Sequence, residues 1–368
     1  MTLKIYRVVS DFFHRYFSDE EAVIVFLLFL ICFILIYMFG GILTPLLAAV
    51  ILSYLLSPLV DKLQSYRVPH GLSVIIVFLV FFGVLLVSLL TMVPALIKQI
   101  SALVSDVPGM MRTFQSQLEL LPEKYPDLLS QELVGHWSGS LDLSQIGQQL
   151  SAWLPNVVSF SLNTLPAIIS VLIYVIVVPL MVFFILKDRD ELWSGFKSML
   201  PDQRRLMNEI AIEMNQQIAN YIRGKAIEII IVGGVTFITF TLLGLNYAAL
   251  LSVLVGFSVL IPYIGATVVT IPVFAIGVFQ WGFAPELYWV LIAYLVIQVL
   301  DGNVLVPLLF SEAVNLHPVS IIAAVLVFGG LWGFWGIFFA IPLATLVKAI
   351  VNAWPSSVIS DPTEPADP

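Results

Sequence analysis

The positions of the charged residues limit what this sequence can fold into more than any other feature. Lys, Arg, Asp and Glu are all absent from five long stretches: residues 22–60, 68–97, 143–186, 229–285 and 313–347. Each is longer than the roughly 20 residues that a helix needs to cross a bilayer. The whole chain is 60% hydrophobic and 11% charged, whereas a soluble domain is about 25% charged. The sequence therefore predicts an all-α, polytopic integral membrane protein.

Glycine and proline residues indicate where the first apolar stretches break into helices. Residues 22–60 are too long for one ordinary span, and Gly40, Gly41 and Pro45 lie near their middle. We therefore expect two helices joined by a tight turn there. Two further spans are expected after them, at residues 72–97 and 158–186.

The longest charge-free stretch, residues 229–285, must hold at least two spans, with a short turn predicted at 244–247. Beyond that turn, Pro262, Gly265 and Pro272 leave two paths open. The chain there forms either one broken span or a re-entrant pair of helices. Two more spans bring the expected number of transmembrane helices to about eight, at residues 287–309 and 320–347.

The two hydrophilic segments differ in charge, and this difference predicts the orientation of the chain. Residues 187–225 contain seven basic side chains: Lys187, Arg189, Lys197, Arg204, Arg205, Arg223 and Lys225. Because cytoplasmic loops carry an excess of Lys and Arg, we expect this segment in the cytoplasm. Residues 98–156 are more acidic, and their apolar residues recur at helical spacing. Amphipathic helices on the periplasmic side are expected there.

These patterns divide the whole chain into segments. They are a cytoplasmic amphipathic N-terminus (1–21), transmembrane helices 1–3 (22–97), a periplasmic hydrophilic segment (98–156), transmembrane helix 4 (157–186), a cytoplasmic helical segment (187–225), transmembrane helices 5–8 (226–350) and a cytoplasmic disordered tail (351–368). Both termini are therefore expected in the cytoplasm.

Sequence patterns of soluble catalysts are missing. The chain has no Walker glycine loop, no paired-histidine metal motif and no serine nucleophile elbow. Cys32 is the only cysteine, which excludes a disulfide within the chain and a cysteine metal site. The sequence has no stripe of basic residues of the kind that binds nucleic acid. We therefore expect no enzymatic activity, no cofactor and no bound metal, with the lipid bilayer and a small-molecule or ion substrate as partners.

Ionisable residues inside apolar segments are the best candidates for function, because burying one in the membrane costs about 2.5–3.5 kcal/mol. Asp301 lies within an expected span, and Gln298 would share its helix face. If that helix continued through Pro307, the carbonyl of Asn303 would lose its hydrogen-bond donor. Such a cluster could take a proton, a sodium ion or a polar solute. Alternatively, Asp301 caps a helix that begins at Gly302, or ends a span at the interface.

Two other ionisable residues are further candidates for a role in transport. Glu228 enters the membrane near the basic segment, so it either contributes to transport or pairs with Arg223 or Lys225 at the interface. His317 precedes Pro318 at the start of the last span. It is either part of a proton relay or a hydrated histidine at a helix boundary.

Two apolar stretches are interrupted by glycine and proline. Residues 256–265 contain Pro262, Tyr263 and Gly265, and residues 329–336 contain four glycines. Interruptions of this kind expose backbone carbonyls where a cavity can satisfy them, so both stretches are candidates for gating elements beside a substrate path. For the second stretch, close helix packing through its small residues is an equal alternative.

Several motifs in this order resemble the AI-2E (autoinducer-2 exporter) family, and within it the PerM permease branch. They are FSD at 17–19, SYLL at 53–56, VPLMVFF at 178–184, NYIRGK at 220–225, LIPYIG at 260–265, DGN at 301–303 followed by Pro307, and NLHP at 315–318. The motif LIPYIG includes Pro262, Tyr263 and Gly265, and NYIRGK includes Arg223 and Gly224. The resemblance is densest in the C-terminal half.

The resemblance implies a multi-pass transporter of the bacterial cell inner membrane, and a homo-oligomer that in this family is a pentamer. It implies export of a quorum-sensing signal or exchange of sodium or lithium for protons. We expect a secondary transporter or permease that exports a small polar solute such as a quorum-sensing signal. A sodium(lithium)/proton antiporter and a passive channel are the alternatives, and a non-transporting assembly factor is a further one.

Overall fold

The computed structural model describes residues 20–124, 165–198, 205–262, 264–310 and 316–353. Every regular element within these ranges is helical, which confirms the all-α prediction. The helices are α1 (Glu20–Ser65), α2 (His70–Lys124), α3 (Leu165–Lys187), α4 (Arg189–Ser198), α5 (Arg205–Leu242), α6 (Ala248–Ser258), α7 (Ile264–Trp281), α8 (Pro285–Leu300), a π-helical turn (Asp301–Leu305), α9 (Val306–Phe310), α10 (Pro318–Phe338) and α11 (Ala340–Ala353).

Several predicted segments fall partly or wholly outside these ranges. They are the N-terminus before residue 20, the hydrophilic segment from residue 125 onward, the first residues of the fourth span and the tail after residue 353.

Six helical stretches of the described chain are long and apolar enough to cross a membrane. They are Tyr37–Ser65, His70–Thr113, Ile210–Leu242, Ile264–Trp281, Pro285–Phe310 and Pro318–Phe338. Large apolar side chains on them point outward, and Ile42, Leu90 and Leu242 are 78%, 75% and 82% exposed. Outward apolar faces of this kind are stable against lipid and unstable in water. The chain is therefore a multi-pass membrane protein.

Helix α1 corrects the prediction of two helices in residues 22–60. It is continuous across Gly40, Gly41 and Pro45, so the predicted tight turn is wrong. A proline removes one backbone hydrogen bond from a helix, and hydroxyl side chains in membrane helices can satisfy carbonyls near it. Pro45 leaves the carbonyl of Gly41 without its helical donor, and next to it the Oγ1 of Thr44 donates to the carbonyl oxygen of Gly40 at 3.0 Å.

Helix α2 joins the third predicted span to the hydrophilic segment without a break. It contains Pro94, Pro108 and Pro122 and ends at Lys124. At about 1.5 Å per residue it is roughly 80 Å long, well beyond the ~30 Å of hydrocarbon. The helical periodicity expected after residue 98 is thus confirmed as far as Lys124, within one helix that extends beyond the bilayer.

The chain forms two compact units. The first comprises Met1–Thr44, Arg189–Tyr221 and Ala313–Pro368, and the second comprises Pro45–Asp188 and Ile222–Glu312. The second unit has one core in which α1, α2 and α3 meet around Ala49, Val74 and Val182. Its other core joins α5, α6, α7 and α8 around Phe240 and Tyr294.

In the first unit, the chain reverses direction inside α10. Gly333 has φ +59° and ψ −132°, a conformation that only glycine adopts readily. A Cβ atom on Gly336 would overlap the carbonyl oxygen of Phe328, although residues eight apart in a straight helix are about 12 Å apart. The predicted single span at 320–347 is therefore wrong, because the left-handed glycine turns the chain back on itself.

In the second unit, α6 and α7 form a hairpin. The side chain of Gln280 donates to the carbonyl of Gly244 and accepts from the amide of Asn246, each at 2.7 Å, so both outer ends lie together. Helix α6 has 11 residues, or about 16 Å, roughly half the ~30 Å of hydrocarbon. The hairpin is the arrangement that a re-entrant pair would form, and its re-entry into the membrane stays a prediction. We call residues 259–262 the hairpin tip and residues 243–247 the hairpin base.

Glycine at position 265 is required by the close approach of the two hairpin arms. A Cβ atom there would overlap the carbonyl oxygen of Ser258, which is backbone and cannot move aside. We therefore expect Gly265→Ala to lower the apparent melting temperature of the protein in detergent, with a cost of about 3 kcal/mol or more. The matched control is Gly234→Ala in α5, where a Cβ atom has nothing within 4 Å. Equal melting temperatures for the two variants would contradict this description of the hairpin.

Candidate functional site

A buried ion pair lies where α5 passes the hairpin tip. The Nζ atom of Lys225 is 2.8 Å from Oε2 of Glu228, and the two side chains are only 6% and 1% exposed. The sequence predicts Arg223 or Lys225 as the partner of Glu228, and Lys225 is the one observed. Both side chains are enclosed by protein, and the predicted position of the pair at the membrane interface stays a prediction.

Lys225 also binds the hairpin tip. Its Nζ donates to the carbonyl oxygen of Val259 at 2.8 Å, and Val259 is the residue that ends α6. The last carbonyls of a helix have no partner within the helix and carry partial negative charge. One ammonium group therefore satisfies both the carboxylate of Glu228 and the C-terminal end of α6.

Phe310 covers this ammonium group from α9. The Nζ atom of Lys225 is 5.2 Å from the centroid of the Phe310 ring, within range of a cation–π interaction. The ring also packs on Gly224, where a Cβ atom would be 2.5 Å from Cε1 of Phe310. Gly224, a residue of the predicted Arg223–Gly224 motif, thus leaves room for the aromatic ring beside the ion pair.

Asp301 begins the π-helical turn that follows α8. The amide of Val306 donates to the carbonyl of Asp301, five residues earlier. In this register Pro307, which has no N–H, stands opposite Gly302 and not Asn303 as predicted. The predicted alternative in which Asp301 caps a helix that begins at Gly302 is wrong because the helix continues through this turn, and the alternative in which Asp301 ends a span at the interface stays a prediction. Single π-helical turns are frequent at functional sites.

Asp301 and Gln298 share a helix face, as the sequence predicts. Asp301 interacts electrostatically with both Lys225 and Glu228. Within the described part of the chain, Oδ1 of Asp301 and Nε2 of Gln298 are buried without a hydrogen-bond partner. We call Lys225, Glu228, Gln298 and Asp301 the tip cluster.

The other predicted site residues are more scattered. Asn303 is exposed, and its Nδ2 donates to the carbonyl of Val299 at 2.9 Å, one turn earlier in its own helical segment. Pro262 lies in the hairpin tip, whereas Tyr263 falls outside the described residues. His317, in the other unit, accepts from the amide of Val319 at 3.3 Å and caps α10. It is a helix-boundary residue, and its role in a proton relay stays a prediction.

Three contacts could not be predicted from the sequence. They are the bond of Lys225 to Val259, the ring of Phe310, and Tyr294, whose hydroxyl donates to the carbonyl of Ala266 at 2.8 Å. The spacing of Lys225 and Glu228 at the start of a charge-free stretch was the one available signal. Among the described residues, no group of three His, Cys, Asp or Glu side chains could hold a metal ion.

The hairpin base is tied to α2 by uncharged donors. The hydroxyl of Tyr247 donates to Oδ2 of Asp106 at 2.5 Å, and the amide of Leu250 donates to Oε1 of Gln99 at 2.8 Å. Burial, and then the hydrogen bond to Asp106, raise the pKa of Tyr247. The phenol therefore stays protonated at physiological pH and remains a donor.

Membrane-length helices around a buried charged cluster, with a broken hairpin and a π-helical turn beside it, are features of membrane transporters. The sequence signature described as "AI-2E family transporter" matches residues 24–356. The chain belongs to this family, which is a class of transport proteins and not of enzymes.

Two relatives illustrate the similarity. The chain is 45% identical to "Putative permease PerM" of Escherichia coli (strain K12) over 353 residues, covering 96% of this chain and 99% of that protein. It is 27% identical to "Putative transport protein YueF" of Bacillus subtilis (strain 168) over 312 residues, covering 83% and 82%.

Removing one partner of the ion pair should be far more harmful than removing both. Lys225→Met leaves the Glu228 carboxylate buried without its cation, and we expect a loss of about 3–5 kcal/mol. The double variant K225M/E228Q keeps similar volumes without charge and should recover most of that loss. Apparent melting temperatures in detergent measure both. A double variant as unstable as Lys225→Met would show that the ion pair is not the cause.

Proposed function

We propose that this protein is a secondary transporter that exports a small polar solute, such as a quorum-sensing signal, across the inner membrane. The observation that carries this proposal is the pair of unpartnered buried atoms in the tip cluster, Nε2 of Gln298 and Oδ1 of Asp301. Leaving a buried donor or acceptor unpaired costs about 1–3 kcal/mol. A polar solute that meets both atoms would recover that cost.

The chemistry of the two atoms defines what they can bind. The amide of Gln298 offers a donor and the carboxylate of Asp301 an acceptor, one helical turn apart. A hydroxyl group can serve both at once, since it accepts and donates. The pair thus favours a small solute with hydroxyl or similar groups over an apolar one.

The charge of the tip cluster supports coupling to an ion gradient. It holds one ammonium group, on Lys225, and two carboxylates, on Glu228 and Asp301. A bound proton would bring the formal charge of the cluster to zero, which a low-dielectric site favours. Since the sequence contains no nucleotide-binding loop, we propose the proton gradient as the energy source and Asp301 as the coupling residue.

The broken segments supply the means for movement. Helices interrupted near the middle of the membrane form the sites of many secondary transporters. Here Pro262 interrupts the hairpin, and Gly302 and Pro307 interrupt the segment that carries Asp301. We propose that these two breaks open and close the tip cluster to either side.

We also propose an orientation of the chain in the membrane and an oligomeric state. The positive-inside rule supports a cytoplasmic position for residues 187–225 and for both termini. The ring of His70 bonds the carbonyl of Lys187 at 3.0 Å, and Gln99 bonds Leu250 at the hairpin base. The 29 residues of α2 between these contacts span about 40 Å, which supports placing the base on the periplasmic side. A pentamer is proposed from the family resemblance.

Transport in proteoliposomes tests the role of Asp301. We expect Asp301→Asn to reduce proton-driven uptake of autoinducer-2 into inside-out vesicles by at least ten-fold, because the amide cannot exchange a proton. The matched control is Asn303→Ala, which alters a polar side chain two residues away that is exposed. Unchanged uptake by Asp301→Asn would remove this residue from the coupling role.

The same vesicles separate the alternatives. Pulses of sodium or lithium with a pH-sensitive dye inside would reveal an antiporter. Flux of autoinducer-2 that neither saturates nor shows counterflow would indicate a passive channel. Either result would contradict the proposed function.

A further inference from the structure

The hairpin of α6 and α7 is held differently at its two ends. At the base, the contacts to α2 come from a phenol and a backbone amide, which bear no charge. At the tip, the end of α6 is held to α5 by the ammonium of Lys225. The tip contact therefore depends on the ionisation of Glu228, whereas Asp106 at the base can accept from the Tyr247 phenol whether or not its carboxyl group is ionised.

Among the residues that the structure describes, the groups that can compete for this ammonium are few. Glu228 binds it directly on α5, and Asp301 interacts with it from the segment after α8. Helices α6, α7 and α9 contain no Lys, Arg, Asp, Glu or His. Arg223 lies two residues before Lys225 on α5 and is half-buried. Lys225 thus binds one carboxylate and the carbonyl of Val259, with the carboxylate of Asp301 near enough to attract it electrostatically.

The surface between α5 and α6 would let the tip move. The two helices meet at Gly233 and Gly256, where a Cβ atom on Gly256 would be 3.1 Å from the Cα atom of Gly233. Glycines at such a contact present smooth backbone without interlocking side chains. The α7 side of the tip is held to α8 by the neutral hydroxyl of Tyr294.

We propose that Lys225 is a positioning residue that latches the hairpin tip to α5 only while Glu228 is ionised. With Glu228 neutral, the ammonium turns to Asp301, the end of α6 loses its cation, and the tip moves away while the base stays fixed to α2. This latch rests on the proposed function, for which it supplies the moving part of the site. No bond forms or breaks apart from the transfer to Glu228 of the one proton that the tip cluster takes up through Asp301, which leaves Asp301 ionised.

Hydrogen exchange of the full-length protein in nanodiscs, followed by mass spectrometry, tests the latch without any solute. Glu228→Gln mimics the neutral carboxyl group. We expect amides of residues 259–265 to exchange several-fold faster in this variant, and at least ten-fold faster in K225M/E228Q, which has no latch. Amides of the base, residues 243–250, should exchange as in the unmodified protein.

Tyr247→Phe is the matched control, because it removes a hydrogen bond of the base from Asp106. It should raise exchange at residues 243–250 and leave the tip protected. Tip exchange within two-fold of the unmodified protein in both Glu228→Gln and K225M/E228Q would overturn the latch. Equal acceleration at tip and base would also overturn it, because that pattern indicates general loosening.

The hydrogen-exchange experiment can refute the latch, and the transport experiment can refute the proposed function, independently of each other. A protein in which Asp301→Asn transports normally, but Glu228→Gln releases the tip, would keep the latch and lose the proposed coupling role. A protein with coupled transport and an immobile tip would keep the proposed function and lose the latch.

Discussion

The hydrogen bonds of one buried ammonium group hold together the part of the molecule where the helices are broken. Lys225 sits within 2.8 Å of both the Glu228 carboxylate and the Val259 carbonyl. In a bilayer, an irregular backbone is tolerated only where protein or water satisfies its polar groups. The cation at the end of α6 meets that requirement, and it lets a helix of about half the membrane thickness end inside the protein.

The rest of the second unit follows from this requirement. Gly224 leaves space for the Phe310 ring over the ammonium group, and Gly265 lets α7 pass close to Ser258 after the tip. The segment with the π-helical turn places the carboxylate of Asp301 where it interacts electrostatically with Lys225. A second reversal at Gly333, in the first unit, uses glycine in the same way, since Gly336 there approaches the carbonyl of Phe328. The polar interior is thus built by backbone breaks that glycine permits.

The sequence predicts the class of the fold well, because apolar length and charge placement report directly on the bilayer. Predictions of where helices end are less successful. Gly40, Gly41 and Pro45 suggest a turn, yet α1 continues, since a membrane helix tolerates the loss of one backbone hydrogen bond at a proline. The pairing of Glu228 with Lys225 and the shared face of Gln298 and Asp301 follow from helical spacing. The bond from Lys225 to Val259, 34 residues away, does not, because only the tertiary fold of the hairpin brings them together.

Accessibility of position 298 tests most directly whether a solute path passes through the tip cluster. A single cysteine is easily introduced, because Cys32 is the only native one and can be replaced by Ala. In membrane vesicles of Cys32→Ala/Gln298→Cys, we expect small charged methanethiosulfonate reagents to label position 298 from one side at rest and from the other under a proton gradient. Transported solute should slow that labelling. A cysteine at position 298 that reacts from neither side under any condition would contradict a solute path through the cluster.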